Sequence, residues 1–507
     1  SDGTGGVGTA IYLNSSGNSS VINNSIWGNL GGISAYFANF SNISNNVINA
    51  NSSYAIFISS GTNYNVLNNT VSCRNFSICW LYGIYATSVS NSFIVNNVLV
   101  LNGSQGNFDG IAVSNSNGIK IHNNTINISQ AKDNWGIQVS STNYSNITDN
   151  SINVWEWKGT SVTPKGISVS GDYNKILRNN VTVNTSDAVA GTIMIEGKGI
   201  EIINNSLQTT AYFGSWSIYP VNSKNLTIIG NKITSITTGG ELLDPSSAGI
   251  IIAGSSINVT IQNNTFSTPR YGIYAASGLI NGVINYNKFS DLLPTTTYYG
   301  IYSTSSINLI IANNTFNFSN YSSGNYYGIY STRGNYTIID RNSFIGTVKK
   351  PVTGISLVTE NHTTVSNNTI DINTTSLFVG ISLSNSANNS IGFNRISSNG
   401  SSQGIYLSGS SNNTIANNTV NIDQVGSGYA LVLTAESGSN IIYNNVFNGS
   451  TGAVSVSTVN NNTWNISVQS GTNILGGSLI GGNAYLNKIT QDYSLTCEDY
   501  DGNLLCD

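Results

Sequence analysis

The feature that most constrains this chain is an asparagine that recurs between hydrophobic residues, as in "IIANNTFNF" at residues 310–318. Aligning the chain on the second asparagine of each pair gives steps of about 26 residues, a repeat length typical of stacked solenoid units. Val, Ile or Leu lies three residues before this asparagine, and a hydrophobic residue follows two residues after it, with Thr182 as the exception. The aligned positions are Asn24, Asn46, Asn69, Asn97, Asn124, Asn150, Asn180, Asn205, Asn231, Asn264, Asn287, Asn314, Asn342, Asn368, Asn394, Asn418, Asn445 and Asn462.

The second asparagine of each pair is the one that the pattern places inside. The first position varies to Arg341, Tyr286 and Gly230, which indicates that it faces solvent. An asparagine held between hydrophobic residues is expected at a buried bend, in the left-handed backbone conformation that asparagine tolerates. Stacked on the same residue one turn away, its amide would both donate and accept hydrogen bonds. The sequence therefore predicts an asparagine ladder.

The segments before the ladder positions read as short strands. In "GIYST", Ile301 is expected to point inward, Tyr302 outward and Ser303 inward, which is the period of a strand. Only six prolines occur in 507 residues, as continuous ladders of backbone hydrogen bonds require. We predict an all-β chain, a right-handed, single-stranded parallel β-helix of about 18 rungs over residues 1–468. Residues 469–507 are predicted to form an irregular C-terminal cap.

The repeating unit "GI-x-x-x-S…N-x-I-x-N-N-T-[IF]" resembles the parallel β-helix repeats of the NosD-like and carbohydrate-binding and sugar-hydrolase (CASH) families over residues 9–468. The resemblance implies the fold, because these families include lyases, hydrolases, periplasmic accessory proteins and surface proteins. The tail "GGNAY" and "CEDYDGNLLCD" is similar to the closing segment of secreted archaeal NosD-like surface proteins. Those segments carry a fuller Asp-Gly-Asp-Gly run, in which an aspartate stands where Asn503 stands here.

The composition limits the cellular compartment and the kinds of partner that can be expected. Charged residues are 8% of the chain and the net charge is −4, so no basic surface for nucleic acid is expected. No apolar run is long enough to predict a membrane span. Thirty-three Asn-x-Ser/Thr sequons predict N-linked glycans on a secreted, extracellular protein, although so Asn-rich a chain also produces sequons by chance. The main candidates are Asn68, Asn75, Asn102, Asn123, Asn263, Asn313, Asn335, Asn367, Asn399 and Asn417.

The four cysteines are close in sequence in two pairs. Two local disulfides, Cys73 with Cys79 and Cys497 with Cys506, are expected in a secreted chain. The tail between the second pair carries acidic residues at spacings loosely like those of a calcium loop. Its candidate ligands are Asp499, Asp501, Asn503 and Asp507, with a plain disulfide-closed acidic turn as the alternative. No other cofactor is expected.

The residues that sugar-cleaving chemistry needs are scattered in this sequence. The two histidines, His122 and His362, do not align in the repeat. Sugar-cleaving enzymes use paired carboxylates, yet Asp340 has no second carboxylate at the aligned positions of adjacent repeats. Glu196 and Glu201, in and beside "KGIEI", are the exception and are kept as a candidate carboxylate pair. The sequence therefore disfavours catalysis.

Length changes concentrate between each ladder position and the next "GI", so inserted loops are expected along one edge of the solenoid. Aromatic residues gather there, including Tyr298, Tyr299, Tyr326 and Tyr327, while the tyrosines of successive "GIY" motifs are expected to stack. Any single ring has an ordinary role in packing its loop. Together they predict a contact surface for sugar rings or for another subunit. Its residues are Trp80, Trp135, Trp155, Trp157, Tyr274, Tyr302 and Tyr330.

These patterns favour a secreted, N-glycosylated, non-enzymatic structural protein of a cell-surface layer, appendage or filament. It is expected to associate with copies of itself through the open ends of the solenoid and through the aromatic loop face. The alternative is a polysaccharide-binding or polysaccharide-cleaving β-helix. Expected partners are therefore neighbouring copies, covalent glycans and a polysaccharide.

Overall fold

A computed structural model describes residues 9–486, apart from 29–30, 51–52, 75–79, 103–106, 130–131, 157–162, 187, 240–246, 292–296, 319–323, 423–427, 435 and 458–460. These residues fall into two compact units that divide between Thr260 and Ile261. We call them the N-terminal and C-terminal units. Both are built from parallel strands, as predicted for a parallel β-helix. Five of the six longest predicted loop inserts lie partly outside the described residues.

Each turn of the coil contains three strands, and each strand pairs with its equivalent one turn away. In one turn of the C-terminal unit these are Tyr298–Thr304, Ile310–Ala312 and Thr315–Phe318. We call the corresponding sheets the first, second and third sheet. The first corner joins the first strand to the second, and the second corner, which contains the ladder asparagine, joins the second strand to the third. Ile301 and Ser303 are buried while Tyr302 is half-buried, which confirms the predicted alternation.

The strands of the N-terminal unit follow this order. The first sheet contains Thr9–Asn14, Gly31–Tyr36, Tyr54–Thr62, Trp80–Ser90, Asn107–Ser114, Lys132–Ser140, Lys165–Ser170, Val189–Lys198, Gly214–Ile229 and Ala248–Ile252. The second sheet contains Ser20–Ile22, Asn42–Ser44, Asn65–Leu67, Phe93–Val95, Lys120–His122, Asn146–Thr148, Lys175–Leu177, Glu201–Ile203 and the second half of Gly214–Ile229. The third sheet contains Ser25–Gly28, Val47–Ala50, Thr70–Arg74, Val98–Asn102, Thr125–Ser129, Ser151–Glu156, Asn180–Thr185, Ser206–Ala211 and Lys232–Thr237.

Strand Ile257–Gln262 crosses the division between the units. In the C-terminal unit the first sheet contains Tyr271–Ala275, Tyr298–Thr304, Tyr326–Thr332, Val352–Val358, Phe378–Ser384, Ser402–Ser408, Tyr429–Leu433 and Gly452–Val456. The second sheet contains Val283–Asn285, Ile310–Ala312, Ile338–Asp340, Thr364–Ser366, Ser390–Gly392, Thr414–Ala416 and Ile441–Tyr443. The third sheet contains Thr265–Thr268, Lys288–Asp291, Thr315–Phe318, Ser343–Val348, Thr369–Thr374, Arg395–Ser398, Thr419–Ile422, Val446–Gly449 and Ala484–Leu486. Gln469–Ser470 and Leu479–Ile480 form a short antiparallel pair.

The predicted asparagine ladder is present in both units and every amide in its interior is hydrogen-bonded. The Asn314 backbone N–H and its Nδ2 both donate to Asn342 Oδ1, at 3.0 Å each. The same Nδ2 also donates to the Ile284 carbonyl of the preceding turn at 2.9 Å. In turn, Asn314 Oδ1 accepts the backbone N–H and Nδ2 of Asn287. The buried amide therefore has its donors and its acceptor satisfied.

The structure corrects the ladder at two positions. Asn179, not Asn180, occupies the ladder, and this places Val181 inward and removes the apparent exception at Thr182. After Asn445 the ladder continues at Asn483, because Asn445 donates to its Oδ1. Asn462 belongs instead to a second ladder at the first corner, formed by Asn389, Asn413, Asn440 and Asn462.

The left-handed backbone conformation predicted for the ladder asparagine belongs instead to the residue before it. Positive φ occurs one residue before the ladder, as at Asn313 with φ of 55° and Asn367 with φ of 55°. The same conformation is adopted at Gly230, Arg341 and Phe393, although it is costly for residues with large side chains. The bend therefore belongs to the outer residue. The ladder asparagine is fixed by its hydrogen bonds and not by its backbone conformation.

The recurrent "GI" has a packing cause. The glycine faces inward at the start of the first strand, where the third strand of the same turn contributes a large apolar residue. A Cβ on Gly300 would lie 2.5 Å from the Phe316 ring, and one on Gly328 would lie 2.3 Å from the Phe344 ring. Phe316 and Phe344 stack at 4.6 Å between ring centroids. A side chain at the glycine would therefore displace the aromatic core.

One buried carboxylate occupies the first corner, where several other turns have serine. Glu360 is 1% exposed and its Oε1 accepts hydrogen bonds from Ser331 Oγ and the Gly334 N–H, both at 2.8 Å. Thr363 Oγ1 donates to Oε2 at 3.0 Å. Burial raises the pKa of Glu360, and these three donors oppose the rise. Neither the ladder nor the "GI" pattern distinguishes this residue in the sequence.

A leucine substitution tests the ladder. Asn314→Leu removes the acceptor of the Asn287 backbone N–H and Nδ2, and it removes the Nδ2 donor to Asn342 Oδ1 and to the Ile284 carbonyl. We therefore expect a loss of about 2–4 kcal/mol in unfolding free energy. The control Asn313→Leu changes only the left-handed outer position and should cost about 1 kcal/mol. Denaturant unfolding of both variants provides the comparison. Equal losses would contradict the assignment of inner and outer asparagine.

Candidate functional site

The first sheet of the C-terminal unit carries a block of six tyrosines, of which Tyr271 is buried and the other five are half-buried. Strand pairing aligns Tyr271 with Tyr299 and Tyr299 with Tyr327. Three residues further along each strand, the same pairing aligns Tyr274, Tyr302 and Tyr330. We call these two adjacent columns the tyrosine face. Its residues are Tyr271, Tyr274, Tyr299, Tyr302, Tyr327 and Tyr330.

Rings within each column stack on one another. The centroids of Tyr299 and Tyr327 are 5.0 Å apart with planes inclined by 10°, and those of Tyr302 and Tyr330 are 5.1 Å apart with planes inclined by 8°. Between the columns the planes are perpendicular, at 89° for Tyr299 with Tyr302. The rings therefore cover one another's faces in a herringbone arrangement, which leaves mainly edges and hydroxyl groups toward solvent.

The block contains no Asp, Glu, Lys, Arg or His side chain. Burial and the neighbouring phenols raise the pKa of Tyr299 to about 12, and burial raises the pKa of Tyr330. The phenols of Tyr299 and Tyr330 therefore keep their protons and remain hydrogen-bond donors. At one edge the Arg270 guanidinium lies 5.1 Å from the centroid of the Tyr271 ring. This is a cation–π contact.

The strands that carry the tyrosine face contain neither charge nor asparagine. None of the residues in the eight first-sheet strands of the C-terminal unit is Asp, Glu, Lys, Arg or Asn. Outward positions of the third sheet do hold sequon asparagines, among them Asn317 and Asn373 in the same unit. In the C-terminal unit the described sequons therefore avoid the first-sheet strands and not strands in general.

The N-terminal unit has its own aromatic cluster on the first sheet. Tyr54 lies 5.5 Å from Tyr82 and 5.5 Å from Tyr85 between ring centroids, and Tyr82 lies 4.9 Å from Tyr85. Phe57 lies 5.0 Å from Tyr54. We call these four residues the N-terminal aromatic cluster. It was not predicted as a set, although the "GIY" at Tyr85 was part of the strand pattern.

An aspartate, Asp109, is paired with Tyr82 of this cluster on the next turn. Strand pairing aligns Tyr82 with Asp109, Asp109 with Trp135, and Trp135 with Lys165. Lys165 Nζ lies 4.8 Å from the centroid of the Trp135 ring. Burial raises the pKa of Asp109 to about 7. Sequence reasoning missed Asp109, and the available signal was its alignment with aromatic residues in front of the "GI" motif.

The predicted contact residues occupy strands more than loops. Tyr298 and Tyr326 begin strands and are buried, so they do not belong to a projecting loop. Trp135 is half-buried in a first-sheet strand, and Trp155 is 39% exposed on the third sheet. Trp80 begins a strand, but its side chain and the whole of Trp157 lie outside the described residues. Of the predicted contact residues that are described, Tyr274, Tyr302 and Tyr330 are brought together in one column.

The glycosylation candidates lie away from the tyrosine face. No ladder asparagine begins a sequon, because the position two residues later points into the apolar core. Asn75 lies outside the described residues. The exposed candidates are Asn68, Asn123, Asn263, Asn367 and Asn399, and the half-buried ones are Asn102, Asn313, Asn335 and Asn417. Their occupancy stays a prediction.

The remaining acidic and basic candidates form surface ion pairs. Asp149 accepts two hydrogen bonds from Arg178, at 2.7 and 2.8 Å, and lies 3.2 Å from His122 Nδ1. The Arg178 hydrogen bond is the main cause that lowers the pKa of Asp149.

Of the other predicted charged candidates, Glu201 and Asp340 also form ion pairs. Glu201 lies 3.0 Å from Lys175. Glu196 and His362 are exposed. Asp340 pairs with Arg341 at 2.8 Å and accepts hydrogen bonds from Ser366 and Asn367. These groups are spread over the surface, as the sequence indicated.

The predicted disulfides and calcium ligands fall mostly outside the described residues. Cys73 is buried in the third sheet of the N-terminal unit. Cys79, Cys497 and Cys506 are not described, and neither are Asp499, Asp501, Asn503 and Asp507. Within the part of the chain that is described, no three His, Cys, Asp or Glu side chains gather as metal ligands, and no helix is long and apolar enough to cross a membrane. Both disulfides and the calcium loop stay predictions.

A pH series tests the burial of Asp109. Its pKa is about 7 in the folded protein and about 3.8 when unfolded, so the folded state holds an extra proton between these values. The unfolding free energy should therefore fall as the pH rises from about 4 to 7, relative to the variant Asp109→Asn, and the difference should be constant above that range. Denaturant unfolding of both proteins across this range measures it. Parallel pH profiles would contradict the buried placement.

Two family models match parts of the chain. The model described as periplasmic copper-binding protein (NosD) matches residues 319–488, and the model described as right handed beta helix region matches residues 1–99 and 248–379. No curated protein matches the chain. The matched segments together cover strands of both units.

Several solved structures are similar to the chain at very low identity. A tailspike protein mutant of E. coli bacteriophage HK620, in complex with a pentasaccharide, is 10% identical, covers 85% of this chain and 71% of its own, and has a TM-score of 0.31. The Azotobacter vinelandii mannuronan C-5 epimerase AlgE6 A-module is 10% identical over 64% of this chain and 87% of its own, with a TM-score of 0.25. A PL6 alginate lyase in complex with a trisaccharide is 9% identical over 83% and 80%, with a TM-score of 0.21. With the repeats, the strand pairing and the family matches taken together, the chain is a right-handed parallel β-helix, and its residues 319–488 are similar to the NosD family.

Proposed function

We propose that the chain is a secreted, N-glycosylated, non-enzymatic structural protein of a cell-surface layer, appendage or filament, in which copies associate through the tyrosine face. The observation that carries this proposal is that the tyrosine face is aromatic, uncharged and free of sequons. In the C-terminal unit the described sequon asparagines lie outside the first-sheet strands. The periplasmic description of the NosD family model supports a location outside the cytoplasm.

The distribution of sequons supports a surface kept bare for protein contact. An N-linked glycan is bulky and hydrated, so it prevents close packing of the surface that carries it. The chain places asparagines at outward positions of the third sheet, such as Asn317 and Asn373, yet has none in the equivalent first-sheet strands. Glycans on the other surfaces would limit association to the face without them.

The geometry of the rings favours a protein partner over a sugar. A sugar ring packs its apolar side on an open aromatic face, but the tyrosines of the face cover one another at 5.0 to 5.1 Å. What they present is a band of ring edges and neutral hydroxyl groups. Tyrosine is enriched in protein interfaces because it combines a large apolar area with one hydrogen-bonding group. A second copy offers the same combination in return.

One observation favours a second candidate function, polysaccharide binding. On the first sheet of the N-terminal unit, Asp109 lies between Tyr82 and Trp135 in one column, with Lys165 on the following turn. A polar group flanked by aromatic rings is an arrangement that suits a sugar ring and its hydroxyl groups. Titration of the protein with oligosaccharides, followed by tryptophan fluorescence of wild type and Asp109→Asn, distinguishes this function from the first.

Loss of rings from the tyrosine face should abolish association. We expect the native protein to form oligomers whose size grows with concentration, and the double variant Tyr302→Ser, Tyr330→Ser to remain monomeric, because each ring removed deletes buried apolar contact area. Analytical ultracentrifugation measures the distribution. The control is Tyr336→Ser, which removes a tyrosine that is 53% exposed at a corner. A native protein that stays monomeric at high concentration would refute the proposal.

A new glycan on the same sheet should have the same effect without removing a tyrosine. Ser382→Asn creates a sequon with Ser384, and strand pairing places residue 382 two turns beyond Tyr330 in the same column. The glycosylated variant should fail to associate, whereas Ser382→Gln, which adds an amide but no sequon, should associate as wild type does. Mass spectrometry confirms occupancy. Unchanged association of a fully glycosylated variant would show that this sheet is not the interface.

A further inference from the structure

Three exposed aromatic residues, Phe40, Tyr144 and Tyr173, occupy the same position of the first corner in the N-terminal unit. Phe40 is 57% exposed and Tyr144 is 58% exposed. Both have left-handed backbone conformations, with φ of 59° and 54°. Other turns place asparagine or glycine there, such as Asn63 and Gly118.

An aromatic residue is an unfavourable choice at this position of the bare chain. The left-handed conformation costs a residue with a large side chain about 1–2 kcal/mol, which glycine avoids and asparagine reduces. The ring also leaves apolar area in contact with water, at about 25 cal/mol per Å². Contact between the ring and a group attached to the chain would offset part of this cost.

The residues that follow are the same in both cases. Phe40 begins "FSNIS" and Tyr144 begins "YSNIT", so each ring stands two residues before a sequon asparagine. The serine and the isoleucine of each segment are buried. The ring and the asparagine consequently face outward from the same turn. Asn42 and Asn146 are the first residues of their second-sheet strands, where Asn146 is exposed and Asn42 half-buried.

We propose that Asn42 and Asn146 carry N-linked glycans whose first sugar packs against the rings of Phe40 and Tyr144. The inference rests on the glycosylation in the proposed function, and it names two sites that the exposure of individual asparagines does not single out. The Nδ2 of each asparagine becomes covalently bound to the sugar. The sugar's apolar C–H side then covers the ring two residues earlier, which removes apolar area from water.

The surroundings of the rings leave room for the sugar. Tyr144 stacks on Tyr173 with centroids 5.2 Å apart and planes inclined by 9°, so one of its faces is covered. On the turn before it, the corresponding residue is Gly118, which has no side chain to cover the other face. Within the described residues, no aromatic ring lies against Phe40.

Aromatic residues at the same corner position without a following sequon have protein partners instead. Tyr173 is followed by Lys175 and Tyr336 by Ile338, neither of which accepts a glycan. Tyr173 stacks on Tyr144 and has Lys198 Nζ 5.6 Å from its ring centroid. Tyr336 stacks on His362 with centroids 5.0 Å apart. A ring at this position is thus covered either by a neighbouring side chain or, in this inference, by a sugar.

The folded coil also fixes when the sugar is attached. The sequon hydroxyls belong to Ser44 and Thr148, which are 5% and 7% exposed. Thr148 Oγ1 is further engaged with His122 Nδ1 at 2.9 Å. Since an enzyme must reach the sequon, transfer has to precede the docking of these strands. Glycosylation is therefore tested on protein secreted by a glycosylating host and not by treating the folded chain.

Glycopeptide mapping of the secreted protein gives the first result, and we expect both Asn42 and Asn146 to be occupied. The second is a thermodynamic cycle: Asn42→Gln, Phe40→Ser and the double variant are compared with wild type by thermal unfolding. If the sugar packs on the ring, Asn42→Gln should lower Tm in the presence of Phe40 and should have little effect in Phe40→Ser. The same cycle applies to Tyr144 and Asn146.

The control is Tyr336→Ser, whose effect on Tm should be the same whether Asn42 is glycosylated or replaced by glutamine. Empty Asn42 and Asn146 in a protein that carries sugars at other sequons would overturn the inference, and so would purely additive effects in both cycles. Self-association is measured on the same variants. If the protein associates normally while Asn42 and Asn146 carry no glycan, this inference alone is refuted. If the wild-type protein does not associate, the proposed function is refuted.

Discussion

The hydrogen bond from one buried asparagine to the next is the constraint on which the rest of the structure depends. A polar amide inside an apolar coil is tolerated only when its donors and acceptor are all satisfied. Asn314 meets this condition through Asn287, Asn342 and the Ile284 carbonyl, and none of these partners is a close neighbour in sequence. The requirement fixes the turn-to-turn register, and with it which residues of every strand point outward.

That register explains why much of the fold was predictable. The inward position of Asn314 followed from Ile311 and Phe316 on either side, and the alternation around Tyr302 followed from the strand period. The prediction of a ladder position at Asn180 was wrong. It followed the rule of the second asparagine, although Thr182 breaks the apolar pattern there. Asn179, with Ile176 and Val181 inward, satisfies the same rule without exception. The apolar residue two positions after the asparagine is therefore the stronger signal.

The candidate sites were less predictable because they depend on side chains from different turns. Tyr302 and Tyr330 could be aligned from their shared "GIY" motif, but the perpendicular packing of Tyr299 against Tyr302 requires the registered columns. Asp109 is an ordinary acidic residue in sequence, and its burial comes from neighbours that lie a full turn away. The prediction that Tyr298 and Tyr326 lie in projecting loops was wrong, because these residues begin strands and their side chains are buried in the core.

The direction of the ladder hydrogen bonds has a consequence for how such a chain is made. The backbone N–H of each ladder asparagine is accepted by the oxygen of the next one along the chain, as Asn314 is by Asn342. A turn that leaves the ribosome or an export channel therefore keeps open donors until the following turn arrives. The nascent chain would assemble vectorially, one turn at a time, with a single unfinished edge. During that interval the hydroxyls of Ser44 and Thr148 would still be accessible, so the glycosylation proposed at Asn42 and Asn146 would have to occur in a brief window set by the pace of synthesis.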